Sequence, residues 1–90
     1  MIKVTNYSSR SVDVAINQWG SDGNTGYSTL YAHGGHDTWE RSSEKGFIMM
    51  IKNSQNSDGA YYISATSNLI VFNQEIQCNG HAISRIIMSC

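Results

Sequence analysis

NLIVFNQEIQC (68–78), NG (79–80) and HAISRIIMSC (81–90) read together as a β-hairpin, and that reading decides the fold class. Asn-Gly accepts positive φ at both central positions of a type I′ turn, whose twist matches that of paired strands. A two-residue turn sets Ile76 against Ile83, Gln74 against Arg85 and Phe72 against Ile87. Cys78 then lies beside His81 at the turn, and Cys90 opposite Leu69. At ~3.3 Å per residue the two cysteines stand roughly 30 Å apart, whereas a disulfide needs Cα atoms within about 7 Å. The hairpin therefore implies free thiols.

Upstream of it, strand patterns succeed one another at 2–5, 11–19, 27–31, 37–41, 47–52 and 60–66, separated by Gly, Asn, Ser and Asp clusters. In 11–19, Val12, Val14 and Ile16 alternate with Asp13, Ala15 and Asn17, the period of a half-buried strand. Trp19 shares parity with Asp13 and Asn17, so it is expected to face outward. In 37–41, Asp37, Trp39 and Arg41 share one face, again placing a tryptophan in a polar row. FIMMIK (47–52) is apolar on both faces and predicts a central strand covered on both sides. The adjacent Tyr61 and Tyr62 point opposite ways. Helical periodicity, proline and solenoid-length repeats are all absent. The expectation is one all-β domain over 1–90, a small antiparallel β-sandwich or flattened barrel of about eight short strands.

Composition narrows the function classes. Hydrophobic residues make up 40% of the 90 and charged residues 14%, so the chain reads as globular. Six basic residues scattered through a chain of net charge −1 form no phosphate-binding patch, which argues against a nucleic-acid partner. No apolar run is long enough to be a transmembrane segment. A strand pattern, Ile2-Lys3-Val4-Thr5, follows Met1 directly, so no signal peptide is read and a cytoplasmic or non-classically exported protein is expected. Asn6-Tyr7-Ser8 fits the glycosylation pattern, which such a route leaves unused. FIMMIK and the second hairpin face (Val71, Ile86, Met88) carry more apolar surface than one small interior absorbs, so a homodimer is expected.

The polar chemistry gathers in 20–41, GSDGNTGYSTLYAHGGHDTWER. His33, His36 and Asp37 suggest a zinc site, yet the intervening glycines give no preorganisation and no third histidine is near. No metal or other cofactor is expected. There is no G-x-S-x-G elbow for a nucleophilic serine. The carboxylates Asp13, Asp22, Asp37 and Glu40 have no fixed spacing for glycosidase work. Catalysis is not expected. A pyranose, by contrast, needs a flat aromatic ring for its C–H face and hydrogen-bonding groups for its hydroxyls. Trp19 with Asn17, Asp22 and Asn24 offers one such set, and Trp39 with His33, His36, Asp37 and Arg41 a second. The competing reading is that either tryptophan is core, since a one-residue slip exchanges the faces.

The runs Val4-Thr5-Asn6-Tyr7-Ser8-Ser9, Val12-Asp13-Val14-Ala15-Ile16-Asn17-Gln18-Trp19 and Gly35-His36-Asp37-Thr38-Trp39-Glu40-Arg41 resemble the first half of small fungal fruiting-body lectins, the α-galactosyl-binding Lyophyllum type. The resemblance implies a homodimeric, metal-independent lectin for terminal galactose, such as galabiose on cell-surface or foreign glycans. It supplies no binding residue. The same layout looks somewhat like actinoporin-type proteins that dock on lipid or glycolipid, although the amphipathic N-terminal helix of those proteins is missing. A third reading is a structural or inhibitory partner protein, which would bind no glycan.

Overall fold

Nine strands form two facing sheets in the computed structural model, which describes residues 1–18, 26–42 and 44–86. They are β1 (Ile2–Asn6), β2 (Val12–Ile16), β3 (Ser28–Leu30), β4 (Gly35–Trp39), β5 (Phe47–Lys52), β6 (Gly59–Ile63), β7 (Asn68–Val71), β8 (Ile76–Cys78) and β9 (His81–Ile83). One sheet runs β4-β1-β7-β8-β9 and the other β3-β2-β5-β6. The expected all-β sandwich is the observed architecture. Its pairings are antiparallel except β1 with β7, which run parallel with Lys3 opposite Asn68 and Asn6 opposite Val71.

Alternation puts one row of each central strand into a single core. Val12, Val14 and Ile16 are fully buried, facing Ile2 and Val4 of β1, Leu69 and Val71 of β7, and Ile76 of β8. Phe47, Met49 and Ile51 of β5 complete the layer with Tyr61 and Ile63 of β6. Burying one such aliphatic or aromatic side chain stabilises the fold by roughly 1.5–3 kcal/mol. Tyr61 faces in and Tyr62 out, at 3% and 65% exposure.

Four expectations need correction. The predicted strand 68–78 is two strands, because Phe72 donates its N–H to the Glu75 carbonyl at 2.9 Å and turns the chain back, pairing Leu69 with Cys78. The Asn79–Gly80 turn forms as predicted, with φ of 51° and 87°, and Ile76 does oppose Ile83. The straight hairpin nevertheless ends there, so Gln74 and Arg85 are not strand partners. The Phe72–Ile87 pairing falls outside the described residues; Cys78 is free and half-buried, and Cys90 lies outside them.

Second, Val71 belongs to the core rather than to a surplus outer face, whereas Ile86 is exposed and Met88 lies outside the described residues. Third, β5 is central, between β2 and β6, but it is covered on one face only: Ile48 is half-buried and Met50 exposed. Fourth, Trp39 is 4% exposed and pairs with Ile2 on the inward row. The parity grouping of Asp37, Trp39 and Arg41 was drawn correctly along the chain, but at Trp39 the row faces the core. Among the described residues no helix is long and apolar enough to cross a membrane.

Candidate functional site

The residues singled out in the sequence divide into two groups. Asn17, Trp39 and Arg41 form a structural knot where β4 leaves the first sheet. The buried Arg41 guanidinium donates from Nε to the Asn17 carbonyl at 2.9 Å, from Nη2 to the Ile16 carbonyl at 3.0 Å and from Nη1 to the Glu40 carbonyl at 3.0 Å. Asn17 Oδ1 accepts the Ile48 N–H at 2.7 Å. Five fixed donors suit a guanidinium to carbonyls that the sheets leave unpaired. Arg41 thereby links the two sheets, while Asn17 stays half-buried; the outward stacking role expected of Trp39, with Arg41 beside it, is corrected, because both are buried. Trp19, Asp22 and Asn24 lie outside the described residues.

His33, His36 and Asp37 are exposed at the other end of β4. Here the sequence reading missed the organising residue, Asn6. Its side chain is fully buried and makes four hydrogen bonds: Nδ2 donates to the Arg10 and Leu30 carbonyls at 2.9 Å each, and Oδ1 accepts the Ser8 N–H and hydroxyl at 3.0 and 2.6 Å. That arrangement leaves no room for a glycan on Asn6. Its main-chain carbonyl accepts Gly34 N–H at 2.7 Å, and Ser8 carbonyl accepts His33 N–H at 3.1 Å. The 31–34 turn, with His33 at φ 63°, is thereby laid against the β1–β2 turn.

Tyr7 sits between these segments. The residue is 55% exposed, and its ring stacks on Phe72 with centroids 6.4 Å apart and planes 28° apart, while its Cε1 lies about 3.8 Å from where a Cβ on Gly34 would stand. Tyr31, 71% exposed, comes from the same turn as His33. His36 stands opposite Thr5 in the register, on the outer row that Tyr7 continues, and its Nδ1 lies 3.3 Å from the Gly34 carbonyl. Asp37 caps its neighbour, accepting the Thr38 N–H at 2.8 Å. The result is an aromatic ring stacked on Phe72 yet open to solvent, with His36 on the same outer row. Sequence offered one weak signal for it, an aromatic in a polar Asn-Tyr-Ser-Ser turn; its partners Gly34 and Phe72 are too remote along the chain to be read locally.

A second concave region lies where the sheets part, between β6 and the β8–β9 edge. Asn56, Ser57, Tyr61, Gln74, Glu75, Ile76, Ile83, Ser84 and Arg85 enclose a cleft of about 290 Å³. Burial raises the Tyr61 phenol above its ordinary value, opposed by the nearby Arg85 charge; the hydroxyl donates to the Ser57 carbonyl at 2.6 Å. The adjoining loop is braced by Asp58, whose carboxyl is held below the usual range chiefly by the Ser54 hydroxyl. Asp13 is likewise lowered by the Thr29 hydroxyl and the Asn53 amide, both at 2.6 Å, which tie β2 to β3 and to the residue after β5. Among the described residues no group of three His, Cys, Asp or Glu is placed to hold a metal.

No protein-family model matches the chain, and neither the curated proteins nor the solved structures yield a match.

Proposed function

We propose that this chain is a non-catalytic carbohydrate-binding protein that stacks a pyranose on Tyr7, with His33 and His36 bonding its hydroxyls. The observation that carries this reading is the Tyr7 ring, open to solvent yet stacked on Phe72. Ordering a mobile side chain on binding costs about 0.5–1.5 kcal/mol, a cost that stacking on Phe72 reduces. Galactose suits the site: its axial O4 leaves a continuous C–H face for a ring, while O4 and O6 point to the rim. The resemblance to fruiting-body lectins favours terminal α-galactose, including galabiose.

The reading includes a homodimer. On the outer face of the second sheet Ala15 adjoins Met50 and Ile48 adjoins Tyr62, beside the exposed Tyr27. This apolar row is the surface a second copy would cover. Sedimentation at micromolar concentration should then give twice the chain mass.

A glycan array with purified protein tests the function. Retention of glycans ending in α-galactose, displaced by free galactose and indifferent to EDTA, is expected. Exposed Tyr31 and Tyr62 also suit a lipid headgroup layer. Binding to plain phosphatidylcholine vesicles with an empty glycan array would favour a membrane-docking protein instead.

A further inference from the structure

We propose that the cleft between the sheets is a second ligand site, independent of the Tyr7 face, and that it takes one neutral polyhydroxylated ring of hexose size. The cleft is a built feature. Asn56 Nδ2 donates to the Asn73 carbonyl at 3.1 Å and to Gln74 Oε1 at 3.3 Å, tying the loop after β5 to the β7–β8 turn across the two sheets. On the opposite side Arg85 Nη1 donates to the Asp58 carbonyl at 3.0 Å, and Ile86 N–H to the Ala60 carbonyl at 2.8 Å. The chain after β9 therefore crosses from one sheet to the edge of the other. Gly59 permits this crossing: its φ is 144°, and a Cβ there would stand 2.6 Å from Arg85 Cδ.

The lining selects the ligand's chemistry. Ile76, Ile83 and the Tyr61 ring give an apolar floor, at the bottom of a space that approaches the smallest usual ligand sites, about 300 Å³. A single ring fits such a space better than a drug-sized molecule. Around the floor stand donors and acceptors together. Arg85 has five N–H donors, of which the Asp58 carbonyl takes one. The Glu75 carboxylate accepts Gln77 Nε2 at 2.6 Å and has further lone pairs to offer. An anionic ligand would meet Glu75 and a cationic one Arg85, so each charge is disfavoured by one wall. A neutral polyol uses both walls and lays its C–H groups on the floor.

The test is a ¹⁵N–¹H NMR titration of the full chain with galactose, glucose and mannose separately, compared with glucuronate. Saturable shifts at Tyr61, Ile76, Ile83 and Ser84 with at least one neutral hexose, in the millimolar range, are expected. Ser84→Trp, at an exposed rim position, should fill the cleft and weaken these shifts at least tenfold, as should Glu75→Ala. Tyr7→Ala should leave them unchanged. The proposal is overturned if no hexose moves those signals, if glucuronate alone does, or if Ser84→Trp and Glu75→Ala bind as the parent does. Loss of binding at Tyr7 with the cleft titration intact would remove only the Tyr7 reading.

Discussion

The two ends of β4 carry similar residue types and put them to opposite uses. At one end Trp39 and Arg41 are buried, and the Arg41 guanidinium finds three main-chain carbonyls. At the other, Tyr7, Tyr31, His33 and His36 stay in solvent, while the polar group that positions them, Asn6, is the buried one. The lesson is that exposure at strand ends is decided by which carbonyls need donors, and not by the polarity of a side chain.

The largest effect should come from the knot. Trp39→Ala is expected to cost about 3–5 kcal/mol in chemical denaturation, the usual range for truncating a buried tryptophan. A loss below about 1 kcal/mol would dissolve the contrast between the ends. Arg41→Ala strips donors from three carbonyls and should cost about 3 kcal/mol, since each buried group left unsatisfied costs about 1–3 kcal/mol. Asn6→Ala should match it in stability and, unlike Arg41→Ala, should also disorder the 31–34 turn. Amide exchange at Gly34, read in both variants, separates them.

The cleft side gives smaller, pH-dependent effects. Tyr61 has a raised phenol in the fold, so the unfolded chain ionises first; the stability from keeping it neutral is full below about pH 10 and falls as pH rises above that value. Asp58 has a lowered carboxyl, so its contribution is full above about pH 4 and is lost as pH falls through its folded value. Urea midpoints across pH should decline at both extremes. Tyr61→Phe should flatten the alkaline limb and Asp58→Asn the acid limb.

Much of the scaffold was legible. The alternation of Val12, Val14 and Ile16 predicted their burial, and Asn79-Gly80 predicted its turn. The 72–75 turn was hidden by a physical coincidence. Inward parity changes from odd at Leu69 and Val71 to even at Ile76, but Ile70 and Phe72 are also apolar and conceal the change. The burial of Trp39 is hidden in the sequence by the polarity of Asp37 and Arg41, which suggests an outer face, whereas Arg41 is buried with three carbonyl partners. The exposure of His33 and His36 accords with reading them as rim residues. The surroundings of Tyr7 were not legible, because Phe72 and Gly34 reach it only through the parallel β1–β7 pairing and the Asn6 carbonyl.

Tyr7→Ala tests the central claim most directly, with galactoside affinity and urea stability measured on the same sample. Losing the Phe72 stack should cost only about 0.5–1.5 kcal/mol of stability. Affinity for a terminal α-galactoside should fall at least tenfold, about 1.4 kcal/mol, in a protein that still folds. A folded Tyr7→Ala protein that binds the galactoside as tightly as the parent would contradict the account.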